Sequence, residues 1–185
     1  TSFMISRTAH ADADEESASS LHPAKQTTLG LYVTAAEAYE MWQAAPDTIS
    51  VVDGRTPEEF LFVGNADIAW KIRIATQSDQ WDAEKQQFPM QILPDFVGRV
   101  QEVAEPDDTL LVMCRSGGRS AMAVNLLAKA GFNKVYTITD GMEGDKVKDP
   151  NSVFDGKRLV NGWKNSALPW SYEVDPELMV LPADD

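Results

Sequence analysis

The chain has 185 residues, 43% of them hydrophobic, with 16 Lys and Arg against 29 Asp and Glu, a net charge of −13. That size and composition fit one globular domain with extensions, long enough to bury a core without covalent staples, and they exclude disorder throughout. The acidic excess speaks against a nucleic-acid interface, which needs clustered Lys and Arg, and against an anionic membrane surface; no apolar run approaches the roughly 20 residues of a spanning helix.

Residues 1–29 are rich in Ala, Ser, Asp and Glu without a periodic apolar pattern, and are expected to be an unstructured leader or a processing remnant. Ala9-His10-Ala11 resembles the small-x-small pattern before a cleavage site. Thr34-Ala-Ala-Glu37 is a capping box, and Ala38, Met41 and Trp42 follow at helical spacing until Pro46. Thr48-Ile-Ser-Val-Val-Asp53 is β-branched and short, and reads as a strand ending at Asp53 before Gly54. Pro57-Glu58-Glu59 opens a short helix.

A further strand is expected within 68–74, whereas the polar, Gln-rich stretch 75–90 has no clear period. Phe96, Val97, Val100 and Val103 share one face of a helix predicted over 92–104. Thr109-Leu-Leu-Val-Met113 is a continuous apolar strand, residues 119–130 a helix closed by Gly131, and Lys134-Val-Tyr-Thr-Ile138 a second strand. Strand, helix and strand with short joints form a βαβ unit with parallel strands, and the uninterrupted run 110–113 fits a strand covered on both faces. One α/β domain is expected over 30–172, with 141–170 returning over it and an acidic, solvated tail at 173–185.

The chemistry concentrates between that strand and its helix, in Cys114-Arg115-Ser116-Gly117-Gly118-Arg119-Ser120. Ligands of open α/β sheets bind at the carboxyl ends of strands. Two glycines let successive amides turn inward above a helix N-terminus, where an anion or thiolate is favoured, and Arg115 and Arg119 add positive charge. A lone cysteine at a strand end can be a small buried hydrophobe. Its neighbours here make Cys114 the expected nucleophile instead. One Cys and two His, His10 and His22, close no disulfide and complete no four-ligand zinc site, and both histidines fall in the amino-terminal stretch, so a Cys–His dyad would have to recruit its base from there.

These residues resemble the rhodanese family of sulfurtransferases. Val51-Val52-Asp53-Gly54-Arg55-Thr56-Pro57-Glu58-Glu59-Phe60 looks like the family's first motif, Cys114 to Ser120 matches its active-site loop, and Ala130-Gly131-Phe132 with Val135-Tyr136 matches the helix end and strand beyond that loop. Gly141-Met142-Glu143-Gly144, Asn161-Gly162-Trp163-Lys164 and Leu168-Pro169-Trp170 are similar to the closing segment of single-domain bacterial members. The chain departs from the pattern at Gly64-Asn65-Ala66-Asp67-Ile68-Ala69-Trp70 and in a longer insertion over 71–91, which bears on substrate access.

The resemblance implies a rhodanese-like fold, a central mainly parallel sheet flanked by helices on both faces. It implies a Cys114 persulfide that carries sulfur from a small anionic donor such as thiosulfate to cyanide, a thiol or a protein sulfur acceptor. No metal or organic cofactor is required. Arg115, Ser116, Gly117, Gly118, Arg119 and Ser120 would bind the donor, with Asp53 and Arg55 supporting the loop through an Asp53–Arg119 ion pair. Two other classes stay open. A cysteine-dependent phosphatase or arsenate reductase is disfavoured because four residues, not five, separate Cys114 from Arg119. A non-catalytic binding module usually forfeits the nucleophile that this chain keeps. A reactive lone thiol suits a reducing cytosol, with export kept open by the 9–11 triplet.

Overall fold

The apolar run 109–113 lies at the centre of a parallel sheet in the computed structural model of the protein, which describes residues 20–182. In chain order the elements are β1 (Tyr32–Val33), α1 (Ala35–Ala44), β2 (Ile49–Asp53), α2 (Pro57–Phe62), β3 (Trp70–Lys71), β4 (Ala75–Gln77), β5 (Met90–Ile92), α3 (Phe96–Val100), β6 (Thr109–Met113), α4 (Gly118–Lys129) and β7 (Val135–Ile138). Five strands pair in the order β1-β7-β6-β2-β3, each pair parallel.

The period of two in β6 divides the core. Leu110 and Val112, with Val52 and Val135, pack against Phe96 and Val100 of α3 and Val124 and Leu127 of α4. Leu111 and Met113, with Val51 and Ile138, pack on the other face against Ala35 and Ala38 of α1 and Trp163. Both faces are covered, which is why β6 carries no polar alternation. The α/β architecture with helices on both faces is the one expected.

Local chemistry fixes the helix starts. Thr34 Oγ1 accepts from Glu37 N while the Glu37 carboxylate accepts from Thr34 N, and Thr56 with Glu59 repeats the same reciprocal cap on α2. Helix α3 is shorter than predicted at both ends: Ile92 is drawn into β5, Leu93 N donates to Ile74 O, and residues 101–103 continue only as turns. The unassigned stretch 75–90 contributes to an antiparallel hairpin, with Ala75 opposite Ile92 and Gln77 opposite Met90. Trp81 and Phe88 meet edge to face near its tip, centroids 5.2 Å apart.

The two ends of the described chain are packed. Residues 1–19 of the expected leader, His10 and the 9–11 triplet included, lie outside the described residues, as do 183–185. Within 20–29, Pro23–Lys25 forms a 3-10 turn, and Thr28 N and Oγ1 donate to Asn125 Oδ1 of α4 at 2.9 and 3.1 Å. Along the β3 edge, Val180 N donates to Lys71 O at 3.1 Å and Val180 is buried, so the expected tail is anchored to the sheet at that residue while most of 173–182 is exposed. No helix of the described residues is long and apolar enough to cross a membrane.

Candidate active site

Parallel pairing of β2 with β6 brings their carboxyl ends to one edge: Asp53 is the register partner of Met113, and Gly54 N donates to Met113 O at 2.9 Å. Cys114 is the next residue, 2% exposed. Its Sγ accepts a hydrogen bond from Gly117 N at 3.2 Å and lies 3.7 Å from Ser120 Oγ, to which the thiol donates. Ser120 Oγ donates in turn to Gly117 O at 3.0 Å. Gly117, the N-cap of the 12-residue α4, has φ +101°, and a Cβ there would stand 2.4 Å from Thr139 O. Only glycine makes this turn without strain, and the turn is what aims the amide at sulfur. The positive end of α4 adds to the same field.

The loop is held from behind by the segment after β7. Met142 N donates to Cys114 O at 2.8 Å and Glu143 N to Arg115 O at 2.9 Å. Asp140 locks that segment by accepting from Ala35 N and Gly162 N, both at 2.8 Å, and burial pushes its carboxyl above the ordinary value. Sequence reasoning missed Asp140, although an acid close to a strand end is the signal that Asp53 also carries.

The expected Asp53–Arg119 ion pair does not form. Asp53 pairs with Arg55 instead, Nε to Oδ1 at 2.9 Å and Nη2 to Oδ2 at 2.7 Å, with both side chains fully buried. Arg55 Nη2 also reaches Gly64 O at 2.8 Å. Two residues apart at a strand end, the pair needs no long-range closure, and moving Asp53 to Arg119 would leave a buried guanidinium unmatched. Burial lowers the Arg55 pKa, but the charge and hydrogen bonds of Asp53 more than offset it, and the net direction is up.

Arg119 is gripped by Glu59, Nη1 to Oε2 at 2.7 Å and Nη2 to Oε1 at 2.6 Å. Glu59 is the N3 residue of the α2 cap, so one carboxylate both starts that helix and holds the arginine of the cysteine loop. Its sequence signal is the Thr56-x-x-Glu59 spacing. Burial raises the Glu59 carboxyl, and the Arg119 hydrogen bonds and charge bring it below the ordinary value.

Glu59→Gln is expected to cost about 2 kcal/mol at neutral pH through loss of the charge-assisted fork. A carboxyl whose folded pKa lies below its unfolded value contributes fully above the unfolded value of 4.5 and loses that contribution as pH falls through the folded one. Urea midpoints of wild type and variant should therefore differ near neutrality and converge in strong acid; an equal gap at both ends would contradict the assignment.

A cleft of about 240 Å³ opens beside the loop. Arg115, Arg119 and Glu59 form one side, and Gln77, Phe88 and Met90 of the β4–β5 hairpin the other, so the departure of this chain from the family pattern walls the approach to Arg115. A larger, mostly apolar cavity of about 360 Å³ lies under residues 174–182, and no residue of 114–120 lines it. Arg115 and Ser116 complete the loop, and Gly118 opens α4.

A central parallel sheet that ends one strand on a cysteine, wraps its sulfur in a short arginine-bearing loop and runs into a helix defines a class of α/β domain built around a cysteine loop. The Rhodanese-like domain model matches residues 34–148, and the chain belongs to that family. It is 27% identical over 140 residues to an uncharacterized protein of Rickettsia conorii, covering 76% of this chain and 96% of that protein. The crystal structure of Rv0390 from M. tuberculosis is similar at 25% identity and a TM-score of 0.59, with 76% of this chain and 96% of that one covered. The rhodanese-like domain of the Anabaena protein Alr3790 shares the fold at 18% identity and a TM-score of 0.51, covering 83% and 87%.

Proposed function

We propose that the protein is a sulfurtransferase that moves a sulfane sulfur through a Cys114 persulfide, from an anionic donor such as thiosulfate to cyanide, a small thiol or a protein thiol. The observation that carries the reading is the setting of Cys114 Sγ: a near-buried sulfur bonded by the Gly117 amide, at the positive end of α4, with Arg115 and Arg119 in the same loop. The amide, the helix end and Arg115 each favour an anion placed beside the sulfur.

In the first half-reaction the thiolate attacks the outer sulfur of thiosulfate. A bond forms between Sγ and that sulfur, the donor's sulfur–sulfur bond breaks, and its electron pair leaves on sulfite. No proton has to be delivered to this leaving group, which suits a sulfur whose hydrogen-bond contacts are an amide and a hydroxyl. In the second, the acceptor attacks the terminal sulfur and the pair of the Sγ–S bond returns to Sγ. The Gly117 N–H is placed to stabilise the charge on Sγ at both stages. Family membership supports the class of chemistry, and the four-residue spacing from Cys114 to Arg119 supports sulfur over the larger phosphate or arsenate.

Intact mass tests the reading. Incubation with thiosulfate should add one sulfur atom, cyanide should remove it with release of thiocyanate, and prior alkylation of Cys114 should prevent both. If neither thiosulfate nor 3-mercaptopyruvate adds sulfur, the binding-module reading takes its place. Turnover of an aryl phosphate or of arsenate, run alongside, would overturn the spacing argument.

A further inference from the structure

Residues 173–182 form a strap that is fastened to the domain at two places and spans the gap between them. Asn65 Nδ2 donates to Glu173 O at 2.9 Å near its start, and Val180 N donates to Lys71 O at 3.1 Å towards its end. Beneath it lies the cavity of about 360 Å³, walled by Pro57, Phe60 and Leu61 of α2 on one side and by Val174, Met179 and Val180 on the other. Leu61 and Leu181 also line it and are exposed, so it opens to solvent. Packed interiors leave few voids larger than a water molecule, and walls this apolar offer ordered water too few partners to fill the space.

The remaining wall is basic. Lys71, Arg73 and Arg99 line the cavity and no carboxylate does, in a chain with 29 acidic residues against 16 basic. The three differ in what holds them. Arg99 is paired with Asp95, Nε to Oδ2 at 3.0 Å, and gives Nη2 to Arg73 O, while its buried Nη1 has no hydrogen-bond partner among the described residues. Lys71 is 2% exposed and donates to Ala66 O at 3.2 Å. Burial lowers its pKa, and the charges of Asp53, Asp67 and Asp175 offset that only in part. Arg73 is half-buried and, among the described residues, its side chain makes no hydrogen bond or ion pair. An apolar space bordered by cations and by no carboxylate suits a ligand that is apolar over most of its length and negative at one end. An apolar cavity of about 150 Å³ takes a benzene ring, so one of about 360 Å³ takes roughly 14 non-hydrogen atoms.

We propose that this cavity binds a hydrophobic monocarboxylate of medium chain length, its tail between α2 and the strap and its carboxylate beside Arg73. The site is separate from the cysteine loop and does not depend on the sulfur-transfer reading. The two adjoin through α2: Phe60 and Leu61 wall the cavity, and Glu59, one residue earlier, holds Arg119. The bound ligand therefore lies against the helix that fixes the loop arginine.

Calorimetric titration of the full chain with decanoate, decylamine and decanol, which share one alkyl chain and differ in charge, tests the site. Decanoate should bind one to one and about tenfold more tightly than the other two. Arg73→Gln should weaken decanoate about fivefold and leave decanol within about twofold, and Arg73→Lys should restore most of the loss. Leu61→Trp and Met179→Trp, which fill the space from opposite walls, should each weaken decanoate by more than about tenfold, with urea midpoints showing that the variants fold. Absence of saturable decanoate binding, equal affinity for the three probes, or binding that survives both tryptophan variants overturns the proposal. A dimer that the tryptophan variants dissociate would give the cavity to a second copy of the chain and overturn it as well.

Discussion

Cys114→Ser is expected to abolish sulfur transfer, a fall of at least about a thousandfold, while the unfolding free energy stays within about 1 kcal/mol of wild type. The two readouts separate because serine satisfies the packing and not the chemistry. Its hydroxyl fits the space of Sγ and can accept from Gly117 N, so the loop and the start of α4 keep their bonds. An alcohol remains protonated at neutral pH unless a base removes the proton. The histidine of the described chain, His22, is exposed and uses Nδ1 to accept from Ala24 N, and Glu59 is occupied by Arg119. Intact mass after thiosulfate and a urea titration check both halves. Sulfur retained by the serine variant would assign the nucleophile elsewhere.

Asp53→Ala carries the largest expected stability loss, about 3–5 kcal/mol, because it leaves the fully buried Arg55 guanidinium without its carboxylate. What remains is the Gly64 carbonyl, the Phe60 ring at 5.5 Å and the more distant charges of Glu59 and Glu143, neither of which hydrogen-bonds the guanidinium. Arg55 Nη1 already lacks a hydrogen-bond partner, so the site has no spare acceptor. Removing both charges together, in Asp53→Leu with Arg55→Met, should recover most of the loss, since the cost is that of an unmatched ion and not of a missing attraction. Urea midpoints of the two single variants and the double variant measure the coupling; a double variant as unstable as the sum of the singles would mean that the two residues act independently.

How much of the molecule is legible in the sequence depends on how local each signal is. The β6–α4–β7 unit is readable because an apolar run, a glycine-marked loop and a periodic helix stand next to one another in the chain. Thr34 announces α1 through its own cap. Strand β1 is two residues long, too short for a period of two to register, and exists because Tyr32 and Val33 pair with Thr137 and Ile138 across more than a hundred residues. The β4–β5 hairpin has three-residue strands and a long polar connection, which offers no tight-turn signal. At the site, the cysteine loop is visible as a contiguous motif, whereas the partners of its arginines are not. The sequence reading gives Asp53 to Arg119 although Arg55, two positions away, reaches it first, and Glu59 looks like a helix-start residue because it is one. The arm 145–161 leaves no signal either, since Arg158 is held by a fold-back on Gly144 O.

The base of that arm has a consequence for how the protein can be altered. A Cβ on Gly144 would stand 1.8 Å from Asn161 O, and one on Gly162 would stand 2.5 Å from Gly144 N, so the outgoing and returning strands of the excursion touch where they leave the core. Trp163 N then bonds Gly141 O at 2.8 Å, and the sheet side of the junction closes on itself. An excursion with coincident ends behaves as a cassette: its length enters folding only through a closure entropy that grows logarithmically, about 0.6 kcal/mol per doubling. Arms of other lengths exchanged between Gly144 and Gly162 are therefore expected to leave every strand pairing of the sheet in register.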